Sequence, residues 1–133
     1  MDSYALIDES GFPVIRIRFT GSKSTDENFQ AYLDQNRDCY RFGRKLAIIF
    51  DASQASVPAF SHQKMQADWL KNNQELMQNY CAGTAYIIPS RLIRSILKLI
   101  FSLQKQPVPY LVVKTEAEAA EWVRGLGLAE VDG

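Results

Sequence analysis

The run "KLAIIFD", residues 45–51, sets five apolar residues in a row and closes them with an aspartate. It is too short for a core helix and it does not alternate, so it reads as a strand covered on both faces, as strands of parallel sheets are. "GTAYIIP", residues 83–89, repeats the pattern. "PVPYLVV", residues 107–113, is a third such strand, entered through two prolines that fix an extended lead-in.

Helical periodicity fills the spaces between these strands. Met65, Trp69, Leu76 and Tyr80 mark one face of a helix over 61–80, and a second helix spans 90–104. The last helix opens with Thr115 and Glu118 at capping-box spacing, carries Ala119, Trp122, Val123 and Leu126 as its inner stripe, and stops at Gly127. Upstream of residue 45, Ser24 stands three residues before Glu27, again the capping-box spacing. Phe29, Leu33, Asn36 and Tyr40 follow at helical intervals before Gly43.

At the start, "YALID" (4–8) and "PVIRIRFT" (13–20) flank the turn-forming "ESGFP". Arg16 and Arg18 alternate with Ile15, Ile17 and Phe19, so the pair reads as an antiparallel hairpin with one wet face. The order is β-β-α-β-α-β-α-β-α. It predicts one α/β domain over 1–133, with a mixed, mostly parallel five-stranded sheet and about four helices.

The 15 basic and 15 acidic residues cancel, which leaves no global field to attract nucleic acid. The opening "MDSYALIDESGF" lacks a basic segment followed by an apolar one, so a cytoplasmic protein is expected. Cys39 and Cys81 read as free core thiols, with a disulfide or zinc site as the minority alternative.

Four segments, "FTGSKSTDENFQAYL", "KLAIIFDAS", "CAGTAYIIPSRLIRSIL" and "PVPYLVVKTEAEAAEWVRGLG", resemble in that order the SpoIIAA-like family of the STAS superfamily, whose folds are often grouped with SEC14-type lipid-binding domains. The resemblance implies a non-enzymatic regulatory module that docks a protein partner, possible homodimers included. Its alternative implication is a lipid or other apolar small molecule held in a SEC14-like pocket. In antagonist STAS domains the loop after the third strand leads to a phosphorylatable serine within a "DSSG"-like segment. The matching place here is "VPAFS", with Ser61 near the serine's position and neither the aspartate nor the glycine present.

A phosphate at a helix N-terminus would meet free N–H groups and the helix dipole while blocking a docked partner. The competing role for Ser61 is a helix N-cap. Ser53 and Ser56 read as turn residues or switch candidates, and Asp51 as a loop cap or a binding carboxylate beyond a strand's carboxyl end. Phe60 either staples onto Met65 or the Lys64 stem, or is presented to a partner.

In the helix over 90–104, Leu92, Ile93, Ile96, Leu97, Leu99, Ile100, Phe101 and Leu103 cover an arc of roughly 200°. A sheet face covers less than that. The excess around Leu97, Ile100 and Phe101 is therefore expected to meet the preceding helix, a second copy or an apolar ligand, with Arg94 in a basic rim beside Arg91 and Lys98. The segment is too short to be transmembrane.

Catalytic signatures are missing. His62 is the only histidine, expected as an exposed first-turn residue, and no nucleophile elbow accompanies it. "TGSKST" lacks the spacing of a phosphate loop, and the cysteines, histidine and carboxylates show no metal spacing, so no cofactor is expected.

Overall fold

The computed structural model describes residues 2–128. Its elements are β1 (Ala5–Asp8), β2 (Val14–Phe19), α1 (Asp26–Asp38), a 3₁₀ turn (Cys39–Phe42), β3 (Leu46–Asp51), α2 (Phe60–Asn72), α3 (Gln74–Tyr80), β4 (Cys81–Ile87), α4 (Arg91–Leu103), β5 (Tyr110–Val113) and α5 (Glu116–Arg124). The strands stand in the sheet in chain order, β1 antiparallel to β2 and every later pair parallel.

That order fixes where the helices go. Each crossover steps the same way along the sheet, and right-handed connections then leave every crossover helix on one face. Tyr4, Ile15, Ile17, Ile48, Phe50 and Tyr86 of that face pack with Phe29, Leu33, Trp69, Leu70 and Ile100 of α1, α2 and α4. Among the described residues, α5 covers the other face, where its Ala119 and Val123 pack on Ala47, Ile49, Ala85, Ile87 and Val113. Gly83 makes that packing close: a Cβ there would lie 2.9 Å from Trp122 Cη2 and 3.1 Å from both Leu126 Cδ1 and the Pro109 carbonyl. Burial of Ile15, Ile17, Leu46, Ile48 and Ile49 stabilises the sheet by about 1.5–3 kcal/mol per side chain.

Five α-helices form among the described residues, where about four were expected. The helix expected over 61–80 is two, broken at Asn73. The Asn73 side-chain amide donates to the Trp69 carbonyl at 2.9 Å, and its Oδ1 accepts from Arg37 Nε at 3.1 Å. A side chain that bonds the backbone in this way competes with helix continuation.

Helix starts also differ from expectation. Thr25, not Ser24, caps α1, with Asn28 returning the second bond of the capping box. Ser24 is engaged elsewhere, as described below. The Thr115 cap of α5 forms as the spacing predicts. Gly43 takes the left-handed conformation (φ 62°) that ends the 3₁₀ turn. No helix among the described residues is long and apolar enough to cross a membrane.

Candidate ligand-binding site

Between the sheet and helices α1, α2 and α4 lies a cavity of about 90 Å³. Aromatic side chains build much of its wall. Phe19, Phe50 and Tyr86, one from each of β2, β3 and β4, stack side by side with ring centroids 6.2 and 4.9 Å apart. Tyr110 of β5 extends the row and meets Phe101 of α4 edge-on at 5.0 Å. Tyr4, Phe29 and Tyr32 close the β2 end with centroids 5.1–5.8 Å apart.

Among the described residues no charged side chain lines this space. Burial pushes the Tyr4 hydroxyl up to about 12, and those of Tyr32, Tyr40 and Tyr86 above their ordinary range as well. The cavity is therefore a low-dielectric environment that disfavours ions.

Its polar atoms divide into two groups. Thr84 and Tyr86 of the lining are bonded to Gln106, which is buried in the loop after α4 outside the lining and donates to Thr84 Oγ1 at 2.7 Å and to the Tyr86 hydroxyl at 3.0 Å. Tyr32 donates to Gln66 Oε1 at 2.9 Å. Those donors are partnered, while Gln106 Oε1 has no hydrogen-bond partner. Asn36 Oδ1, the Tyr40 hydroxyl and Trp69 Nε1 are buried without a hydrogen-bond partner, and all three residues line the cavity. The Cys81 thiol lies beside the Tyr40 hydroxyl and is a weak partner. Asn36 and Trp69 stand in the last turns of α1 and α2, and Tyr40 just after α1. These helices run antiparallel to the strands, so the three polar groups share the end of the cavity nearest the strand amino termini.

Helix α4 forms the roof. Ile93, Ile96, Leu97, Ile100 and Phe101 face the cavity, and Ile100 is the one buried residue of this helix. Arg94 is half-buried and lies outside the lining. The excess apolar arc divides accordingly: Leu97 and Phe101 turn inward, while Leu92, Leu99 and Leu103 remain exposed.

The loop of candidate switch residues lies at the strands' carboxyl ends. Asp51 accepts from the Ser53 backbone N–H at 3.0 Å and its hydroxyl at 2.6 Å, so both form a local turn. Ser56 donates to the Ser22 carbonyl at 2.9 Å and lines the cavity mouth with Ala55 and Pro58. Phe60 is the first residue of α2 and 56% exposed, with the Lys64 ammonium 5.6 Å from its ring centroid.

Ser61 is not the helix cap. The N-cap position belongs to Ala59, which has no capping side chain of its own. The acceptor comes instead from 35 residues upstream, where Ser24 Oγ receives the Ala59 N–H at 3.1 Å.

His62 is buried, contrary to the exposed position expected for it. Its Nδ1 lies 2.7 Å from Ser24 Oγ and its Nε2 2.8 Å from Asp26 Oδ1, while its ring stacks on Phe29. The acceptor-only Asp26 carboxylate takes a proton from Nε2, and Ser24 Oγ meets both Nδ1 and the Ala59 N–H. Serine, histidine and aspartate thus meet, but in the reverse sense of a nucleophilic triad. Ser24 is buried and the Asp26 side chain is 93% exposed, whereas a triad shields its carboxylate and presents its serine. The trio fastens the β2–α1 loop to the start of α2.

The sequence placed Asn36 and Tyr40 in a core stripe without marking them as a site. An amide at a core-facing helical position is the one local signal that could have done so. Nothing local marks Trp69 or Tyr86. No protein-family model matches the chain, and no curated protein matches it.

Proposed function

We propose that the protein binds a small, neutral, largely apolar molecule in the cavity beneath α4, as a carrier or sensor of that molecule. One observation carries this: Asn36 Oδ1, the Tyr40 hydroxyl and Trp69 Nε1 stand unpartnered in residues that line an uncharged aromatic cavity. A buried polar group without a partner costs about 1–3 kcal/mol, so three together favour an occupant that supplies both an acceptor and a donor. Trp69 only donates, the asparagine oxygen only accepts, and the tyrosine does either. An alcohol, phenol or amide on an apolar body meets that demand, whereas an ionised carboxylate or phosphate would lie in the low-dielectric space without a counter-charge.

Size adds a condition. Water takes about 30 Å³ in the liquid and an apolar cavity of about 150 Å³ holds benzene. At about 90 Å³ the space is smaller than that, so a benzene-sized occupant requires the roof to move outward. Helix α4, with one buried residue, is the element best suited to yield. Thermal-shift titration with matched pairs, such as an aryl alcohol against the corresponding aryl carboxylate, tests the assignment. The neutral member should raise Tm and the anion should not; equal shifts, or none across such a panel, would refute it.

A second reading, a STAS-like module that docks a protein partner, is favoured by Val57 in the loop before α2 and Phe60 at the first position of α2, 45% and 56% exposed. A partner recovered by the wild type and by a Val57→Asp, Phe60→Asp double variant alike would remove that surface from consideration.

A further inference from the structure

We propose that α4 docks the protein on an anionic lipid bilayer, lying along the membrane surface on its exposed face. Residues 76–115 contain no aspartate or glutamate and carry Arg91, Arg94, Lys98, Lys105 and Lys114, in a chain whose 15 basic and 15 acidic residues balance overall. This segregation places α4 at the centre of an acid-free stretch.

The exposed face of the helix is itself divided. Leu92, Leu99 and Leu103, 60%, 40% and 46% exposed, fall on one ridge. Arg91, Ser95, Lys98 and Ser102 occupy an exposed ridge about a quarter-turn away at 3.6 residues per turn. That is the division of an interfacial helix: leucines enter the boundary between headgroups and acyl chains, while Lys and Arg stems reach back to the phosphates. With 13 residues the helix is about 20 Å long, enough to lie on a bilayer and too short to span one.

Other occupants suit this face less well. Two copies meeting through α4 about a two-fold axis would oppose Arg91 and Lys98 to the same residues, with no carboxylate in the segment to pair them. A stable protein interface buries about 800 Å² on each side, more than one ridge of three leucines provides. The negative potential of an anionic leaflet complements the cationic ridge directly.

Sedimentation of the full chain with vesicles of phosphatidylcholine alone, or of phosphatidylcholine with phosphatidylserine, tests the proposal. The protein should pellet with the anionic vesicles, remain in solution with the neutral ones, and be released by salt. Arg91→Gln with Lys98→Gln should weaken binding about 25-fold, from roughly fivefold per charge. Leu99→Ser with Leu103→Ser should weaken it about tenfold. These four side chains lie outside the cavity lining, so either result leaves the cavity assignment to its own test.

Failure to bind either vesicle, equal binding to both, or wild-type binding by both variants overturns the proposal. It is also overturned if sedimentation equilibrium finds a wild-type dimer that Leu99→Ser with Leu103→Ser converts to monomer.

Discussion

Replacing Tyr40 by phenylalanine removes one oxygen atom from the wall of the cavity. In the empty protein that hydroxyl is buried beside a thiol and has no hydrogen-bond partner. Its desolvation costs about 1–3 kcal/mol, and deletion returns that cost. The void left by an oxygen, roughly 10 Å³ at 24 cal/mol per Å³, takes back only about 0.2 kcal/mol. Tyr40→Phe should therefore stabilise ligand-free protein by about 1 kcal/mol or more, which for a chain of this size raises Tm by about 4 °C per kcal/mol. In the loaded protein the sign changes for affinity. A hydrogen bond from the ligand is worth about 0.5–1.5 kcal/mol, so the variant should bind roughly 2- to 10-fold more weakly. The assay is differential scanning fluorimetry on protein stripped by unfolding and refolding, repeated with the best neutral ligand from the thermal-shift panel. A fall in Tm for the stripped variant would show that the hydroxyl is already satisfied and would refute the reasoning.

Three further outcomes follow from the packing. Ser24→Ala removes the acceptor for the Ala59 N–H and the partner of His62 Nδ1, so the urea midpoint should fall by the equivalent of about 1–3 kcal/mol; an unchanged midpoint would mean the loop fastening contributes nothing. Gly83→Val drives a branched side chain into Trp122, Leu126 and the Pro109 carbonyl and should cost about 1–3 kcal/mol in the same measurement, against no change if α5 can slide away. Arg41 hydrogen bonds at 2.6 and 2.7 Å hold the Glu9 carboxyl below its ordinary value near 4.5. The contribution of that pair is present above the ordinary value and lost as pH falls through the folded one. Tm of the wild type should therefore fall on acidification more steeply than that of Arg41→Gln; parallel curves would contradict the assignment.

Much of this fold can be read along the chain, because strands of a mostly parallel sheet announce themselves as apolar runs such as Leu46–Asp51. The α4 start at Ser90 and the α5 start at Thr115 are equally local, since each cap bonds a backbone N–H three residues on. What escaped the sequence is tertiary. Ser61 has the right residue type for a cap, but Ser24 from another loop supplies the acceptor at the start of α2, and the same hydroxyl draws His62 inward. The break at Asn73 depends on Arg37 from α1 as much as on its own side chain. The cavity was legible only as an excess of apolar arc on one helix. Its polar end joins Asn36, Tyr40 and Trp69, which come together only when α1, the turn after it and α2 pack side by side.

Occupancy of the cavity by a neutral small molecule is read out by native mass spectrometry of the full chain purified from cells without detergent. The expected spectrum holds a species heavier than the bare chain by one small organic molecule, recovered uncharged on solvent extraction and diminished in Tyr40→Phe. A spectrum containing only the bare chain, or an adduct unaffected by Tyr40→Phe, would contradict it.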